Sequence, residues 1–284
     1  MRDNLLMLLN EREDLPPLPE LVIRIDEELR DKQADLNKIV QLIETDMVLS
    51  GRMLKMANSA FYGGGRKEVS RLNLAITRLG FKEIRKIVYS VELSKMFRYG
   101  VAINHRQFWR HSLAVALTTQ ALSHWANASD DEVDNAYLAG LMHDIGLMVF
   151  AFLIPNQYAD FLEEISEKEV PLYKLEAGHF GIDHAEFGHA FIARWWYVDE
   201  TVMNAVKMHH IPTPGDDPGS KINRLVHIAN VICNTLGFSN GLNVYCETFR
   251  EGAWDALGLT LAMVDNILQD VLGRIDLAEH MLEG

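Results

Sequence analysis

Apolar residues recur at three- and four-residue steps along nearly every long segment of this chain, which is the spacing that buries one face of an α-helix. Ser70 is predicted to cap a helix that runs to Leu79, and Gly80 is predicted to end it in the left-handed conformation. The single Asn240-Gly241 turn signal lies between helical stretches, so no β-hairpin is predicted. The pattern predicts an all-α chain of many short helices, with clear apolar stripes over residues 21–29, 39–43 and 49–57.

Interruptions of the helical pattern indicate how the chain is divided. The proline-rich stretch Leu15–Pro19 predicts an extended entry, because residues before proline avoid the α-helical region. A second break around Tyr99 and Gly100 separates the first helices from the part that holds most of the histidines. We therefore predict three parts, an N-terminal helical lobe (residues 1–100), a histidine-bearing lobe (101–235) and a C-terminal helical extension (236–284).

Composition and charge narrow the possible partners. The 284 residues are 48% apolar and carry a formal net charge of −13, which disfavours nonspecific binding to nucleic acid or to anionic membranes. The longest strongly apolar run, Leu147–Ile154, is too short to span a bilayer. Cys233 and Cys246 are too few for a disulfide framework, and the N-terminus lacks the features of a signal peptide. We expect a cytoplasmic protein without a nucleic-acid or membrane partner.

Histidines at long spacing surround one adjacent imidazole–carboxylate pair, His143-Asp144. Imidazole nitrogens suit iron, zinc or nickel, and a carboxylate can bind one cation or bridge two. The alternative interpretation of His143-Asp144 is a buried hydrogen-bonded pair that locks helices together, and His184 alone is open to a capping or core role. His189 lies about 140° around a helix from His184 and is predicted to point elsewhere. Motifs for a serine nucleophile, a P-loop or a dinucleotide site are absent from the sequence.

Several short strings occur in a characteristic order along the chain. They are Leu15-Pro16-Pro17-Leu18-Pro19, Asp46-Met47-Val48-Leu49, Asn58-Ser59-Ala60-Phe61-Tyr62, Ala75 to Gly80, Phe108-Trp109-Arg110-His111-Ser112, Leu138 to Gly146, Asp183-His184-Ala185-Glu186-Phe187-Gly188, and His209-His210. Taken in this order, the strings resemble the HDOD family, a branch of the HD superfamily, over roughly residues 15 to 235. The resemblance implies an all-α, multi-helix HD-superfamily-like bundle with an N-terminal helical lobe, and a bacterial signalling or regulatory role without a demonstrated reaction.

The related HD-GYP phosphodiesterases imply a ligand order that this chain follows with one departure. Where that order ends in an aspartate, this chain has Asn230, whose amide oxygen is a neutral and weaker donor. The Gly-Tyr-Pro signature after the histidine pair is also replaced, by Ile211-Pro212-Thr213-Pro214. The metal ligands implied by the resemblance are His111, His143, Asp144, His184, His209, His210 and Asn230.

Two functions are compatible with such a degenerate site. The first is a regulatory module that binds a signalling protein or a small-molecule signal. The second is a metal-dependent phosphohydrolase of a nucleotide or other phosphoester, with His143 and Asp144 at the catalytic centre. A divalent cation (Fe, Mn, Zn or Ni) would there lower the pKa of its bound water to about 7. The oligomeric state and the identity of the partner are left open by the sequence.

Overall fold

The computed structural model describes residues 1–30, 34–97, 102–215, 217–242, 248–250 and 253–282, and the described part contains no β-strand. The predicted all-α class is confirmed. Among the described residues, one 3-10 turn spans Asp255–Leu257. The α-helices, numbered in chain order, are α1 (Arg2–Glu11), α2 (Glu20–Arg30), α3 (Leu36–Glu44), α4 (Met47–Ala57), α5 (Ala60–Gly63), α6 (Leu72–Leu79), α7 (Phe81–Leu93), α8 (His105–Trp125), α9 (Asp130–Met142), α10 (Ile145–Leu153), α11 (Pro155–Ile165), α12 (Leu172–Phe180), α13 (His184–Trp195), α14 (Glu200–Met208), α15 (Pro218–Thr235) and α16 (Leu261–Leu282).

The chain forms two compact units, and their boundaries differ from those of the predicted lobes. One unit contains Leu18–Met96 and the last residues from 276, and the other contains Met1–Pro17 and Phe97–Ile275. The first helix therefore belongs with the histidine-bearing unit, because its Leu9 is buried there and the Leu9 carbonyl accepts a hydrogen bond from the Trp195 indole. The predicted boundary at residue 100 lies outside the described residues, and the three-part division stays a prediction.

The unit of residues 18–96 contains α2 to α7 and illustrates how apolar stripes become a core. The stripe of α4 faces inward, with Leu49, Met53 and Met56 all buried. Gly80 joins α6 to α7 with φ 83° and ψ 157°, a conformation that suits glycine because it has no Cβ. The predicted cap Ser70 is wrong, since the N-cap of α6 is Arg71 and its side chain makes no capping bond.

The histidine-bearing unit is built around α8, α9 and α15, which pack against one another, with α13 and α14 completing the bundle. One stretch, Asp130–Leu153, is long and apolar enough to cross a bilayer by length and composition. In the most apolar 18-residue window of this stretch, 94% is buried inside the protein, as expected for a core helix. His143 and Asp144 interrupt this stretch between α9 and α10, so the apolar core itself carries the candidate site.

Candidate metal centre

Two of the predicted ligands sit at the ends of helices and are fixed in the same way. His143 is the C-cap of α9, and His209 is the C-cap of α14. Each ring folds back on its own helix, where Nδ1 donates to the Gly140 carbonyl at 2.8 Å and to the Val206 carbonyl at 2.7 Å, respectively. The last carbonyls of a helix lack intrahelical donors. Each of these two bonds therefore supplies a donor to such a carbonyl and at the same time fixes the orientation of the imidazole ring.

Two further histidines are carried by helices that cross close to Asp144. His111 lies on α8, and its Nδ1 donates to the Phe238 carbonyl at 2.5 Å. His184 is the first residue of α13, and its Nδ1 donates to the Glu176 carboxylate at 2.5 Å. Because Nδ1 of each ring is held by an oxygen, Nε2 is the nitrogen that points to the common centre.

Glycines allow the helices that carry these residues to approach closely. A Cβ at Gly140 of α9 would lie 2.8 Å from the Ala116 Cα of α8, so this crossing needs a residue without a side chain. A Cβ at Gly146 of α10 would lie only 1.9 Å from the His184 carbonyl oxygen of α13. Gly146 follows Asp144 by two residues, so this contact holds His184 beside that carboxylate.

The histidines converge on the Asp144 carboxylate. The Nε2 atoms of His143, His184 and His209 lie 3.4, 3.4 and 3.5 Å from Asp144 Oδ1. His111 Nε2 lies 3.6 Å from Oδ2 of the same carboxylate. All five side chains are at most 3% exposed, so the cluster is formed in the interior of the unit.

His210 extends the cluster on one side. Its Nε2 lies 2.7 Å from His184 Nε2, and its ring stacks on Tyr173 with 4.5 Å between the centroids. The donors form two overlapping sets that share Asp144, and the ligand atoms within each set lie within 4.8 Å of one another. The structure thus brings together six of the seven residues predicted as ligands, in the sets Asp144, His184, His209, His210 and His111, His143, Asp144.

Asn230, the seventh, is not placed in these contacts. Its side-chain oxygen accepts a hydrogen bond from Asn234 at 2.7 Å, one turn further along α15. The ligand role of Asn230 stays a prediction. His189, which was predicted to point elsewhere, belongs to neither donor set in the described part of the chain. Cys233 is buried, and burial raises the pKa of its thiol to about 12, while Cys246 lies outside the described residues.

The hydrogen bonds at Nδ1 of His111 and His143 leave their Nε2 lone pairs unprotonated inside the cluster. A carbonyl oxygen only accepts, so Nδ1 of His111 and of His143 carries the hydrogen and each neutral ring has an unprotonated Nε2. These two Nε2 atoms face each other at 3.3 Å, which is unfavourable without a proton or a cation between them. His209 Nε2 is buried and makes no hydrogen bond within the described part of the chain. The 3.5 Å separation from Asp144 is too long to serve as one.

The protonation states of Asp144 and His111 also suit a cation. Burial alone would lower the pKa of His184, but Glu176 and Asp144 hold it well above its usual value, so a cation there displaces a proton. Burial alone would raise the pKa of Asp144, but the imidazoles of His143, His184 and His209 outweigh it and hold that pKa well below its usual value. Burial, and then the neighbouring His143, lower the pKa of His111 to about 4. Near neutral pH the centre therefore presents an ionised carboxylate and a neutral His111 imidazole, the forms that bind metal. The donor set fits a divalent transition metal, and this buried cluster can hold one.

Tyr158, Glu176 and His184 form a buried chain of hydrogen bonds that the sequence did not indicate. Glu176 of α12 is fully buried, and its carboxylate accepts hydrogen bonds from the His184 backbone N–H at 2.9 Å and from the Tyr158 hydroxyl at 2.6 Å. Burial and the Glu176 charge raise the pKa of Tyr158 well above 10, so the phenol stays a donor. Glu176 belongs to no recognisable sequence motif. Its position eight residues before His184 is the one feature of the sequence that could have indicated a contact between the two.

The segment that follows α15 supplies two more residues that the sequence did not indicate as site residues, Asn240 and Arg250. The Asn240 amide donates to Asp144 Oδ2 at 2.9 Å, while its oxygen accepts from the Leu242 backbone N–H at 3.2 Å, which orients the amide. The Arg250 backbone N–H donates to His227 Nε2 at 3.0 Å. His227 lies on α15 and in turn donates from Nδ1 to the His209 carbonyl at 2.9 Å.

Comparisons with known proteins concern the family and the fold of this chain. The model of the HDOD domain family matches residues 15–212. An uncharacterized protein from Treponema pallidum (strain Nichols) is 26% identical over 241 residues, which cover 84% of this chain and 45% of that protein. The chain therefore spans less than half the length of that relative.

Solved structures show the same fold. An HDOD domain protein of unknown function from Geobacter sulfurreducens superposes with a TM-score of 0.80 at 23% identity and covers 99% of this chain and 98% of its own. A protein named as a candidate phosphohydrolase from Shewanella amazonensis SB2B has a TM-score of 0.73 at 19% identity, with 98% and 97% covered. At these identities the likeness concerns the fold.

Proposed function

This chain belongs to the HDOD domain family, and from that premise we propose that it is a bacterial, cytoplasmic regulatory module whose buried centre holds a divalent cation. In this proposal the loaded centre binds a small-molecule signal or a signalling protein. The observation that carries the proposal is the convergence of four imidazole Nε2 atoms on one ionised carboxylate, each with its Nδ1 hydrogen-bonded to an oxygen.

The imidazole-rich donor set supports iron, manganese, zinc or nickel over magnesium or calcium, which prefer oxygen ligands. When bound, such a cation supplies Lewis acidity at a buried, water-poor position. The residues of the chain orient the imidazole ligands and keep water away from them. Glu176 holds His184 in the Nδ1–H form, the carbonyls of Gly140 and Val206 do the same for His143 and His209, and the tight packing excludes bulk water.

A metal-dependent phosphohydrolase is the second candidate, and one observation favours it. Two donor sets share Asp144, and a carboxylate shared by two cations is an arrangement used in phosphoester hydrolysis. The Asn240 amide argues in the other direction, because it occupies a lone pair of Asp144 Oδ2. We therefore rank binding above turnover.

Metal analysis of protein purified without chelator tests the proposal. We expect near-stoichiometric Fe, Mn, Zn or Ni in the wild type and little in His143→Ala. His189→Ala is the matched control, because it removes an imidazole from α13 outside the cluster, and we expect it to keep its metal. Metal-free wild-type protein that also takes up none on titration would contradict the proposal. Hydrolysis across a panel of phosphoesters that is lost in His143→Ala, but not in His189→Ala, would favour the second candidate.

A further inference from the structure

Arg250 brings a positive charge to the edge of the candidate metal centre. Its guanidinium donates from Nε to the His210 carbonyl at 3.0 Å and from Nη2 to the Tyr173 hydroxyl. Its backbone N–H donates to His227, which is bonded to the His209 carbonyl. Arg250 is therefore tied to both residues of the histidine pair, and its guanidinium is held in one orientation before any ligand arrives.

The guanidinium of Arg250 has no acidic partner among the residues that the structure describes. No carboxylate in the described part of the chain forms an ion pair with Arg250, although the chain has 40 acidic residues against 27 basic ones. Within the same described part, its Nη1 makes no hydrogen bond, since Nε and Nη2 account for the side-chain bonds. Of the five N–H donors of the guanidinium, three thus remain for another acceptor, the two on Nη1 and the second on Nη2.

The charges around the centre point to the nature of that acceptor. Asp144 and Glu176 together offset the two positive charges of a divalent cation, so Arg250 leaves one positive charge without an offset. Arg250 is partly exposed, whereas His209 and His210, to which it is tied, are buried. A guanidinium beside a divalent cation matches a phosphate group, which accepts from a planar fork and binds hard and borderline cations.

We propose that Arg250 is the anion-recognising residue of this site and that the ligand it selects carries a phosphate group, held between the guanidinium and the cation. The assignment rests on the proposed metal centre and specifies its ligand class. Free phosphate and a phosphomonoester share this chemistry, so both are used as probes. The regulatory module then responds to a phosphate-bearing small molecule.

Calorimetric titrations of wild type, Arg250→Gln and Arg194→Gln test the assignment. Inorganic phosphate and phenyl phosphate are titrated into each protein, with and without Mn²⁺, and Mn²⁺ is titrated alone. Arg194→Gln removes the same charge from an exposed position on α13 and serves as the matched control. We expect Arg250→Gln to bind phosphate about 10- to 100-fold more weakly than wild type. The control should match wild type, and Arg250→Lys should fall between because it keeps the charge without the fork.

Each outcome separates this assignment from the metal proposal. Phosphate affinity that is equal in wild type and Arg250→Gln, with and without Mn²⁺, overturns the assignment. Loss of Mn²⁺ binding in Arg250→Gln with phosphate affinity unchanged also overturns it, since Arg250 then only holds His210 in place. Wild type that binds no Mn²⁺ and contains no Fe, Zn or Ni contradicts the metal proposal alone, and the metal-free phosphate titrations then decide the role of Arg250. Tighter binding of phenyl phosphate than of phosphate identifies an ester as the ligand.

Discussion

Replacing Gly146 with alanine should disrupt the metal centre through the backbone, without changing any ligand. The new Cβ would lie 1.9 Å from the His184 carbonyl oxygen and 2.8 Å from the Gly188 nitrogen. Both neighbours are backbone atoms of α13, so no side chain can rotate away. Because such contacts are essentially never shorter than 3.0 Å, α10 and α13 must separate by about 1.1 Å, the difference between 3.0 and 1.9 Å.

That separation sets the size of the effect. Overpacking costs about 1–3 kcal/mol when side chains can adjust. A backbone clash belongs at the upper end, so we expect a loss of about 3 kcal/mol in the free energy of unfolding. For a protein of this size, that loss lowers the melting temperature by roughly 6–12 °C. Metal affinity should fall as well, because His184 moves by more than the ~0.2 Å tolerance of a metal–ligand distance.

Thermal unfolding of the metal-free protein and calorimetric metal titration measure the two effects. Gly178→Ala is the matched control, since Gly178 lies exposed in α12 and its Cβ would meet nothing within 4 Å. Alanine in a helix interior should stabilise that variant by about 0.5–1 kcal/mol and leave metal binding intact. A Gly146→Ala protein that melts within about 1 °C of wild type and binds metal equally well would show that α10 and α13 do not cross as closely as described.

Three further changes test other parts of the structure. Glu176→Gln should weaken metal binding about 10- to 100-fold in calorimetry, because the carboxylate that holds His184 loses its charge; the exposed Glu164→Gln should change nothing. Asp46→Ala should cost about 1 kcal/mol in urea unfolding at pH 7, since Asp46 caps α4 and pairs with Lys95. Burial alone would raise the pKa of Asp46, but Lys95 and the Val48 and Leu49 N–H groups lower it below 3.8. The stabilisation by Asp46 is therefore present above pH 3.8 and is lost as the pH falls through the folded-state pKa. In acid, wild type and Asp46→Ala should therefore have the same free energy of unfolding. Asn230→Asp should tighten divalent-metal uptake if the position faces the cluster, and an unchanged metal content would place Asn230 outside the ligand set.

Local sequence patterns were sufficient to predict the helical class and to indicate six residues that the fold brings together. The stripe of α4 is buried as its spacing predicted, because three- and four-residue steps always place side chains on one face of a helix. Gly80 ends α6 as expected, since a positive φ strongly favours glycine. Ser70 was misplaced by one residue because capping preferences are weak compared with the packing that decides where a helix begins.

The order of the histidines along the chain indicated the candidate metal ligands. Asp144, adjacent to His143, indicated that a carboxylate accompanies them. Chain order carries no information about Glu176, Asn240 or Arg250, whose side chains reach the cluster from α12 and from the segment after α15. A carboxylate, an amide and a guanidinium acquire these roles through burial and orientation, which arise when helices distant in sequence pack together. Periodicity and residue type thus specify an all-helical protein with donors for a metal, whereas close crossings such as that of Gly146 on His184 set the distances between those donors and the groups that surround them.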